Sequence, residues 1–250
     1  MLSFDQAEFR YEPFPIGLTK EVLAPDHYRE LVAAFPDIAL MKRMDGNINK
    51  LSLSEKNNTL RYRSFVRSNP LWRDFHDYIK RRGFIGDILK MLRERHIDLN
   101  LKRAATTTSG AWARVLASLL QGQPPYDLTR LSARFEFSVV HGNGGYLKPH
   151  TDTPKKFITL VISMIGEGEW PLEYGGGTDV NRALDVRNAY NYANRSLEFS
   201  DVEILHTYDF EPNQCVIFVK TFNSLHSVRP IHAPADALRK SLTINIERAH

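Results

Sequence analysis

Two short segments carry side chains whose types and spacing suit metal chemistry. Residues 148–153, KPHTDT, place His150 and Asp152 two positions apart, and the segment SLHSVRPI supplies His226 far downstream. Side chains two apart on an extended strand point to the same side, so His150 and Asp152 can bind one ion. Two histidines and one carboxylate on one face of a metal suit Fe(II) and leave coordination positions open for substrate and O₂. A His-x-Asp pair is also common by chance, and an isolated histidine is more often packed or exposed than bound to metal.

A second pair of polar residues follows the distal histidine. Arg239 and Ser241 open the alternating segment RKSLTINIE and share one face if that segment is a strand. A guanidinium and a hydroxyl together suit a carboxylate, which accepts two parallel bonds from arginine and another from serine. The pair is weak evidence alone, because most arginines are solvated. Placed after the three metal donors, it predicts an anchor for an acidic cosubstrate.

In this order the motifs resemble those of the Fe(II)/2-oxoglutarate-dependent dioxygenase superfamily, specifically its prolyl-hydroxylase-like branch. The resemblance covers roughly residues 131–247, with GGYLKPH ending at the first histidine and GGGT at 175–178 where the family has a Gly-Gly turn. It implies that the ligands of iron and the residues that hold the far carboxylate of 2-oxoglutarate are, respectively, His150, Asp152 and His226, and Arg239 and Ser241.

The same resemblance implies a reaction. The chain is expected to be an enzyme, a dioxygenase that uses Fe(II), O₂ and 2-oxoglutarate as cosubstrate, with ascorbate as a candidate accessory, to hydroxylate an unactivated C–H bond. A small molecule or a peptide side chain is the expected substrate, and its identity is not indicated. One departure is that Val140 stands where some members have a 2-oxoglutarate-binding tyrosine, and Tyr146 lies closer to His150. The second polar contact to 2-oxoglutarate is therefore unassigned.

The second half of the chain has the pattern of strands that could position these residues. In SARFEFSVV the polar residues Ser132, Arg134, Glu136 and Ser138 alternate with apolar ones, as in a half-buried strand. Further strand-like runs occur in KFITLVISMI, VEILHTY, QCVIFVK and RKSLTINIE, separated by turn residues. Consecutive strands without intervening helices predict an antiparallel sandwich or jelly roll.

The first half of the chain is predicted to be mainly helical. Apolar residues recur at helical spacing in HYRELVAAF, in PLWRDFHDYIKRR and FIGDILKMLRERHI with a junction near Gly83, and in AWARVLASLL. The polar residues 37–69 are expected to form an exposed loop or flap. The overall prediction is an α+β fold, a double-stranded β-helix (jelly roll) of antiparallel strands buttressed by N-terminal helices. It forms one domain over 1–250, with helical support and flap in 1–130 and the catalytic core in 131–250.

Three charged residues near the motifs have two interpretations each. Arg134 and Glu136 either line the barrel and meet a ligand, or pair with each other or face solvent. Lys156 either faces the site or is a solvated lysine beside Lys155. The sequence does not orient these side chains.

Composition narrows the function class only slightly. The chain is 42% hydrophobic and 25% charged with a net charge of +4, and it has a single cysteine, Cys215, which excludes an intrachain disulfide. The absence of a long apolar run and of a basic leader predicts a cytoplasmic protein without membrane contact. A non-catalytic jelly-roll module that binds metal or ligand remains the main alternative. Nucleic-acid demethylation ranks lower, because no basic stripe with interleaved aromatic residues is present, and the oligomeric state is not indicated.

Overall fold

The computed structural model describes residues 1–44, 50–99, 101 and 128–249. Within these ranges the helices are α1 (Pro25–Ala33), α2 (Thr59–Ser68), α3 (Pro70–Lys80) and α4 (Arg82–Glu94). The strands of the same ranges are β1 (Glu8–Arg10), β2 (Ile16–Thr19), β3 (Lys42–Arg43), β4 (Lys50–Ser54), β5 (Leu131–His141), β6 (Leu147–His150), β7 (Lys156–Ser163), β8 (Thr178–Ala183), β9 (Val202–Tyr208), β10 (Cys215–Val219), β11 (His226–Val228) and β12 (Leu238–Arg248).

The strands form two antiparallel sheets. The major sheet has eight strands in the order β1-β2-β10-β7-β12-β5-β4-β3, and the minor sheet has the order β6-β11-β8-β9. Apolar residues of both sheets share a buried cluster, in which Ile16 and Phe218 of the major sheet meet Val180 and Tyr208 of the minor sheet. The sheets therefore pack face to face, and the predicted α+β jelly-roll fold is confirmed.

The helices cover the outer face of the major sheet. In β5 and β12 the residues Phe135, Phe137 and Ile244 turn outward and are fully buried, and Trp72 of α3 packs edge-on against Phe137 at 4.7 Å between ring centroids. Helix α3 begins with proline in its first turn, and the side chain of Asn69 accepts a hydrogen bond from the Trp72 amide. Burying each such large apolar side chain contributes about 1.5–3 kcal/mol, so this layer fixes which face of β5 and β12 points inward.

The inner face of the major sheet is polar, and it positions the site. Because neighbouring residues of a strand point to opposite sides, Glu136 and Ser138 of β5 and Arg239, Ser241 and Asn245 of β12 turn toward the minor sheet. All five are buried. A polar interior of this kind needs partners for its charges, which raises the question of what they bind.

Several details differ from the prediction for the first half. Helices α1, α3 and α4 are confirmed, although the junction of the last two lies at Arg81 rather than near Gly83. The prediction of a loop over residues 37–69 is wrong for its described part: β4 pairs with β5, and α2 follows it. The cause is that Ser52 and Ser54 of β4 face the polar interior rather than solvent, so their polarity resembled that of a loop.

The strands β1 and β2 near the N-terminus join the major sheet and were not predicted. The helix expected in AWARVLASLL, residues 111–120, lies outside the described residues. No helix of the part that the structure describes is both long and apolar enough to cross a bilayer.

Candidate metal and anion site

The three predicted metal donors meet between the sheets. His150 ends β6 and His226 begins β11, and the two residues are register partners in the minor sheet. Their ring centroids lie 4.4 Å apart. Asp152 follows directly after β6, and one potential ligand atom of each of the three residues lies within 4.8 Å of the others. This is a group of two imidazoles and one carboxylate that could hold a metal ion.

Both imidazoles are oriented by backbone carbonyls. His150 Nδ1 lies 2.8 Å from the Lys148 carbonyl oxygen, and His226 Nδ1 lies 3.0 Å from that of Ser224. A carbonyl only accepts, so each Nδ1 carries the proton and each Nε2 keeps its lone pair. Burial lowers the pKa of His150 to about 3 and also lowers the pKa of His226. The rings are neutral at pH 7, which is the form that binds metal.

The carboxylate of Asp152 is held by two donors. Lys156 Nζ lies 2.5 Å from Oδ1, and Thr159 Oγ1 donates to Oδ2 at 2.6 Å. Burial by itself raises the pKa of Asp152, but Lys156, His226 and His150 together outweigh it, and the pKa lies well below its usual range. Of the two interpretations of Lys156, the inward one is correct, since its side chain is 16% exposed.

A buried amide continues this network. Asn245 lies 3.1 Å from Thr159 Oγ1, and its Nδ2 has no hydrogen-bond partner. The single hydroxyl proton of Thr159 is used in the short bond to Asp152. The amide orientation that points Nδ2 at Thr159 therefore supplies a donor to the hydroxyl oxygen and removes the unpartnered N–H. The chain Asn245–Thr159–Asp152 fixes the direction of the carboxylate.

Removing the hydroxyl of Thr159 is expected to weaken metal binding. Thr159→Val keeps the side-chain shape but loses the donor to Asp152, and loss of a partner of a metal-ligating carboxylate typically costs 10–100-fold in metal affinity. Titration with Mn(II), followed by electron paramagnetic resonance, measures the effect. Thr243→Val is the matched control, because Thr243 lines the same cavity without a bond to Asp152. Equal affinities of the two variants would contradict the role of Thr159.

Arg239 lies at the other end of the cavity, where several contacts fix its guanidinium. Its side chain is 3% exposed, its Nε donates to the carbonyl of Gly176 at 2.6 Å, and its guanidinium lies 4.0 Å from the ring centroid of Phe210. Burial lowers the pKa of Arg239 to about 10. Within the described ranges Arg239 makes no ion pair with a carboxylate. A buried guanidinium without a counter-ion is costly, and an anionic ligand would offset that cost.

The cavity joins the arginine to the metal donors. Ser241 lies two positions after Arg239 on β12 and is the cross-strand partner of Ser138. The space between these residues is about 100 Å³, which at about 30 Å³ per water is the volume of roughly three waters. Its walls include Lys50, Ser138, Val140, Leu147, His150, Asp152, Lys156, Thr159, Val161, Thr178, Phe218, His226, Ser227, Val228, Arg239, Ser241 and Thr243.

The turn at residues 175–178 contacts the side chain of Arg239. Gly176 has φ +79°, and a Cβ atom built on it would lie 3.2 Å from Arg239 Cδ and 3.2 Å from Trp170. The Trp170 indole in turn donates to the Gly175 carbonyl at 2.8 Å and packs against Phe210. The glycine therefore lets the backbone approach the arginine closely enough to accept its Nε–H.

Gly176→Ala is expected to destabilise the protein beyond the cost of its positive φ. The left-handed conformation costs an alanine about 1–2 kcal/mol, and crowding against Arg239 and Trp170 adds about 1–3 kcal/mol. Gly168→Ala is the control, since Gly168 has φ +72° and no atom within 4 Å of the added Cβ. Urea unfolding of both variants measures the difference. Equal losses of stability would show that the close approach to Arg239 has no energetic consequence.

Arg134 and Glu136 form an internal ion pair rather than facing solvent. Arg134 Nη1 lies 2.6 Å from Glu136 Oε2, and Arg134 Nε lies 3.4 Å from Glu247 Oε2. Lys50 Nζ adds a weaker contact to Glu136 at 3.7 Å. Burial raises the pKa of Glu136, but Lys50 and Arg134 outweigh it and lower the pKa to about 2. The two interpretations are both partly correct, because the pair lies on the inner face and its members bind each other.

Sequence reasoning missed several residues that line the cavity or lie directly behind its wall. Lys50 comes from β4, which was predicted to be a loop, and Thr159 and Asn245 are inward positions of β7 and β12 without a motif around them. The alternation of KFITLVIS and LTINIE was the available signal, since it places both side chains on the polar face. Tyr146 packs against Phe199 at 5.9 Å between centroids and does not line the cavity, whereas Val140 does.

Comparisons with known proteins give similarity in structure only. No family model matches the sequence, and no curated protein matches it. Among solved structures, a prolyl-4-hydroxylase from Pseudomonas putida covers 94% of this chain and 92% of its own, at 13% identity and a TM-score of 0.49.

Two further structures extend over similar shares of the chain. A prolyl hydroxylase from Trichoplax adhaerens, in complex with a peptide fragment of the hypoxia inducible factor oxygen degradation domain, matches at 9% identity and a TM-score of 0.48, covering 93% of this chain and 83% of that one. HygX from Streptomyces hygroscopicus, with nickel and 2-oxoglutarate bound, matches at 8% identity and a TM-score of 0.47, covering 94% and 83%. Similarity this low concerns the fold alone, so the chemistry must come from the side chains of the site.

Proposed function

We propose that the chain is a non-haem Fe(II)- and 2-oxoglutarate-dependent dioxygenase of the prolyl-hydroxylase-like branch, which hydroxylates an unactivated C–H bond. One observation carries the proposal: a partly buried His-Asp-His group and a buried guanidinium without a counter-ion line the same cavity. A metal site alone explains the first feature and a structural arginine explains the second. A dicarboxylate that binds metal at one end and Arg239 at the other explains both.

The residues fit the proposed metal. Two neutral imidazole nitrogens and one carboxylate oxygen are the donor set of a three-ligand Fe(II) site with open positions. His150 and His226 present Nε2, and Asp152 presents a carboxylate oxygen while it keeps its hydrogen bonds from Lys156 and Thr159. Bound Fe(II), with 2-oxoglutarate and O₂, would supply the oxidising chemistry for C–H hydroxylation.

The chain's own residues position the reactants. Arg239 and Ser241 would bind the far carboxylate of 2-oxoglutarate by charge-assisted hydrogen bonds and so set the direction in which it reaches the metal donors. Val140, Val161 and Val228 line the cavity and limit the water around the reacting groups. The polar contact that the family obtains from tyrosine would come from another group, and Ser138, opposite Ser241, is placed for it.

The proposed function includes a substrate class, an accessory and a cellular compartment. The proposed substrate is a small molecule or a peptide side chain, and no nucleic-acid or membrane partner is included. Ascorbate is proposed only as an accessory. Cys215 is fully buried, and burial raises the pKa of its thiol, which makes it inert rather than catalytic. A chain with a single buried thiol fits a reducing compartment, and we place the enzyme in the cytoplasm.

Succinate production tests the function directly. Protein purified without O₂ is loaded with Fe(II), ascorbate and 2-oxoglutarate, O₂ is admitted, and succinate is measured with and without candidate small molecules and peptides. Succinate that depends on both Fe(II) and 2-oxoglutarate supports the proposal. Iron bound in full amount, with no succinate under any condition, would instead favour the alternative of a non-catalytic jelly-roll module that binds metal or ligand.

A further inference from the structure

The end of the cavity opposite Arg239, here called the rim, holds the metal donors. Arg239 lies near the start of β12, whereas Asn245, in the second half of that strand, is the register partner of Thr159 beside Asp152. Phe218 of β10 pairs with Thr159 and packs its ring 4.3 Å from that of His226. Lys220 follows Phe218 on the same side, just beyond the strand. A cosubstrate anchored at Arg239 would therefore reach the metal donors from one end, and Lys220 lies just outside the other, beyond the residues that line the cavity.

Lys220 is held at this rim by neutral oxygen atoms. Its Nζ donates to Thr151 Oγ1 at 2.9 Å and to the Tyr192 carbonyl at 3.3 Å, and it lies 5.3 Å from the Tyr192 ring centroid. Thr151 is the residue between His150 and Asp152. An ammonium group has three N–H donors, so one remains for a ligand. Burial lowers the pKa of Lys220 to about 8 and outweighs the opposing effect of the Asp152 charge.

The other cations near the rim already have carboxylate partners. Lys156 contacts Asp152, Arg134 contacts Glu136 and Glu247, and Lys56 contacts Glu247 at 3.0 Å. Within the described residues Lys220 makes no ion pair with an acidic side chain. Of these four cations, Lys220 is therefore the one without a carboxylate partner.

A pair of stacked aromatic rings is formed by residues two positions from Lys220 and from its partner Tyr192. Tyr190 and Phe222 stack at 4.5 Å with 6° between their planes, and they are 70% and 44% exposed. Their segments are joined to the rim, because the Asn191 amide donates to the Phe222 carbonyl at 2.8 Å and Thr151 donates to the Asn191 carbonyl. Exposed rings on a rigid frame offer a flat apolar surface to a ligand.

We propose that Lys220 and the stacked rings of Tyr190 and Phe222 form a substrate-recognition rim that binds an anionic group and the flat ring next to it. The substrate class is then a ring-bearing carboxylate or phosphate, oriented with its anion on Lys220 and its reacting carbon toward the metal donors. This inference rests on the proposed function and narrows its substrate.

Binding of small probes tests the rim separately from turnover. Protein is saturated with Mn(II) and 2-oxoglutarate, so that the Arg239 end is filled, and the Kd values of benzoate, phenyl phosphate and benzamide are measured by ligand-observed NMR. Benzamide matches benzoate in shape but has no charge. Lys220→Gln is compared with Lys155→Gln as the control. The side chain of Lys155 is exposed. Lys220→Arg restores the charge, and Tyr190→Ala removes one ring.

The expected result is a charge-dependent loss. Wild type binds benzoate or phenyl phosphate more tightly than benzamide, and Lys220→Gln weakens the anionic probe about tenfold or more while leaving benzamide and the Lys155→Gln control unchanged. Tyr190→Ala weakens both charged and neutral probes. The preferred anion distinguishes a carboxylate from a phosphate substrate.

Three outcomes would overturn the proposed role of the rim in substrate recognition. They are no saturable binding of either anion to wild type, equal affinities for benzoate and benzamide, or unchanged anion binding by Lys220→Gln. Thermal unfolding of each variant shows whether Lys220 only ties Thr151 to Tyr192, since a purely structural role lowers stability without changing the preference for charge. If wild type does not bind 2-oxoglutarate, the result refutes the proposed function and does not bear on the role of the rim.

Discussion

Asp152→Ala is expected to abolish metal-dependent turnover and to lower metal affinity by at least about 10²-fold, the upper end of the effects seen when only a partner of a ligand is lost. The variant removes one of three donors. It also leaves Lys156, whose Nζ contacts Asp152 in the folded protein, without its counter-ion beside the two histidines. The uncompensated positive charge repels a divalent cation, so the loss exceeds that of one ligand. Mn(II) titration measures the affinity, and succinate production measures turnover.

Companion variants separate the two causes. Asp152→Ala with Lys156→Met removes the repelling charge together with the ligand, and we expect it to recover part of the metal affinity but no turnover. Asp185→Ala is the control, because Asp185 is a surface aspartate that pairs with Arg187. Full activity of Asp152→Ala would remove the residue from the metal site. If the double variant recovers no metal affinity, the charge of Lys156 does not repel the metal, and Lys156 acts only through its contact with Asp152.

The strands of the second half were predictable because each has two chemically different faces. In β5 the alternation of polar and apolar residues gave the period, and the five strand-like runs all became strands. What the sequence did not determine was the side to which the polar face turns. Helices α3 and α4 bury the apolar face of β5, and this leaves Glu136 and Ser138 inside the barrel. The orientation thus depends on packing between segments far apart in the chain.

The same limit explains which parts of the site were predictable. Residue types and order identified His150, Asp152, His226, Arg239 and Ser241 as candidates, and their roles remain predictions. Contacts that depend on a turn or on a partner strand were not available from the sequence. Gly176 meets Arg239 only because its positive φ brings its carbonyl to the guanidinium. Lys220 meets Thr151 across two segments without a shared motif.

Arg239→Met is expected to raise the 2-oxoglutarate concentration for half-maximal turnover by about 10²-fold or more, since each hydrogen bond between charged groups contributes about 1.5–3 kcal/mol and a carboxylate accepts two from one guanidinium. Metal affinity should stay near that of wild type, because Arg239 is not among the grouped donors. Arg239→Lys should not restore binding, because an ammonium lacks the planar fork. Arg182→Met is the control, as Arg182 is a surface residue paired with Glu203.

The stability of the same variant gives an independent test of why the arginine is buried. Without ligand, a buried guanidinium that has no counter-ion costs free energy, and an apolar side chain of similar length removes that cost. Arg239→Met should therefore be at least as stable as wild type in the absence of 2-oxoglutarate. With metal present, 2-oxoglutarate at 100 times its Kd should stabilise wild type by about 2.7 kcal/mol and the variant hardly at all. If the variant is instead strongly destabilised without ligand, Arg239 serves the packing of Phe210 and Gly176, and its role as an anion anchor is lost.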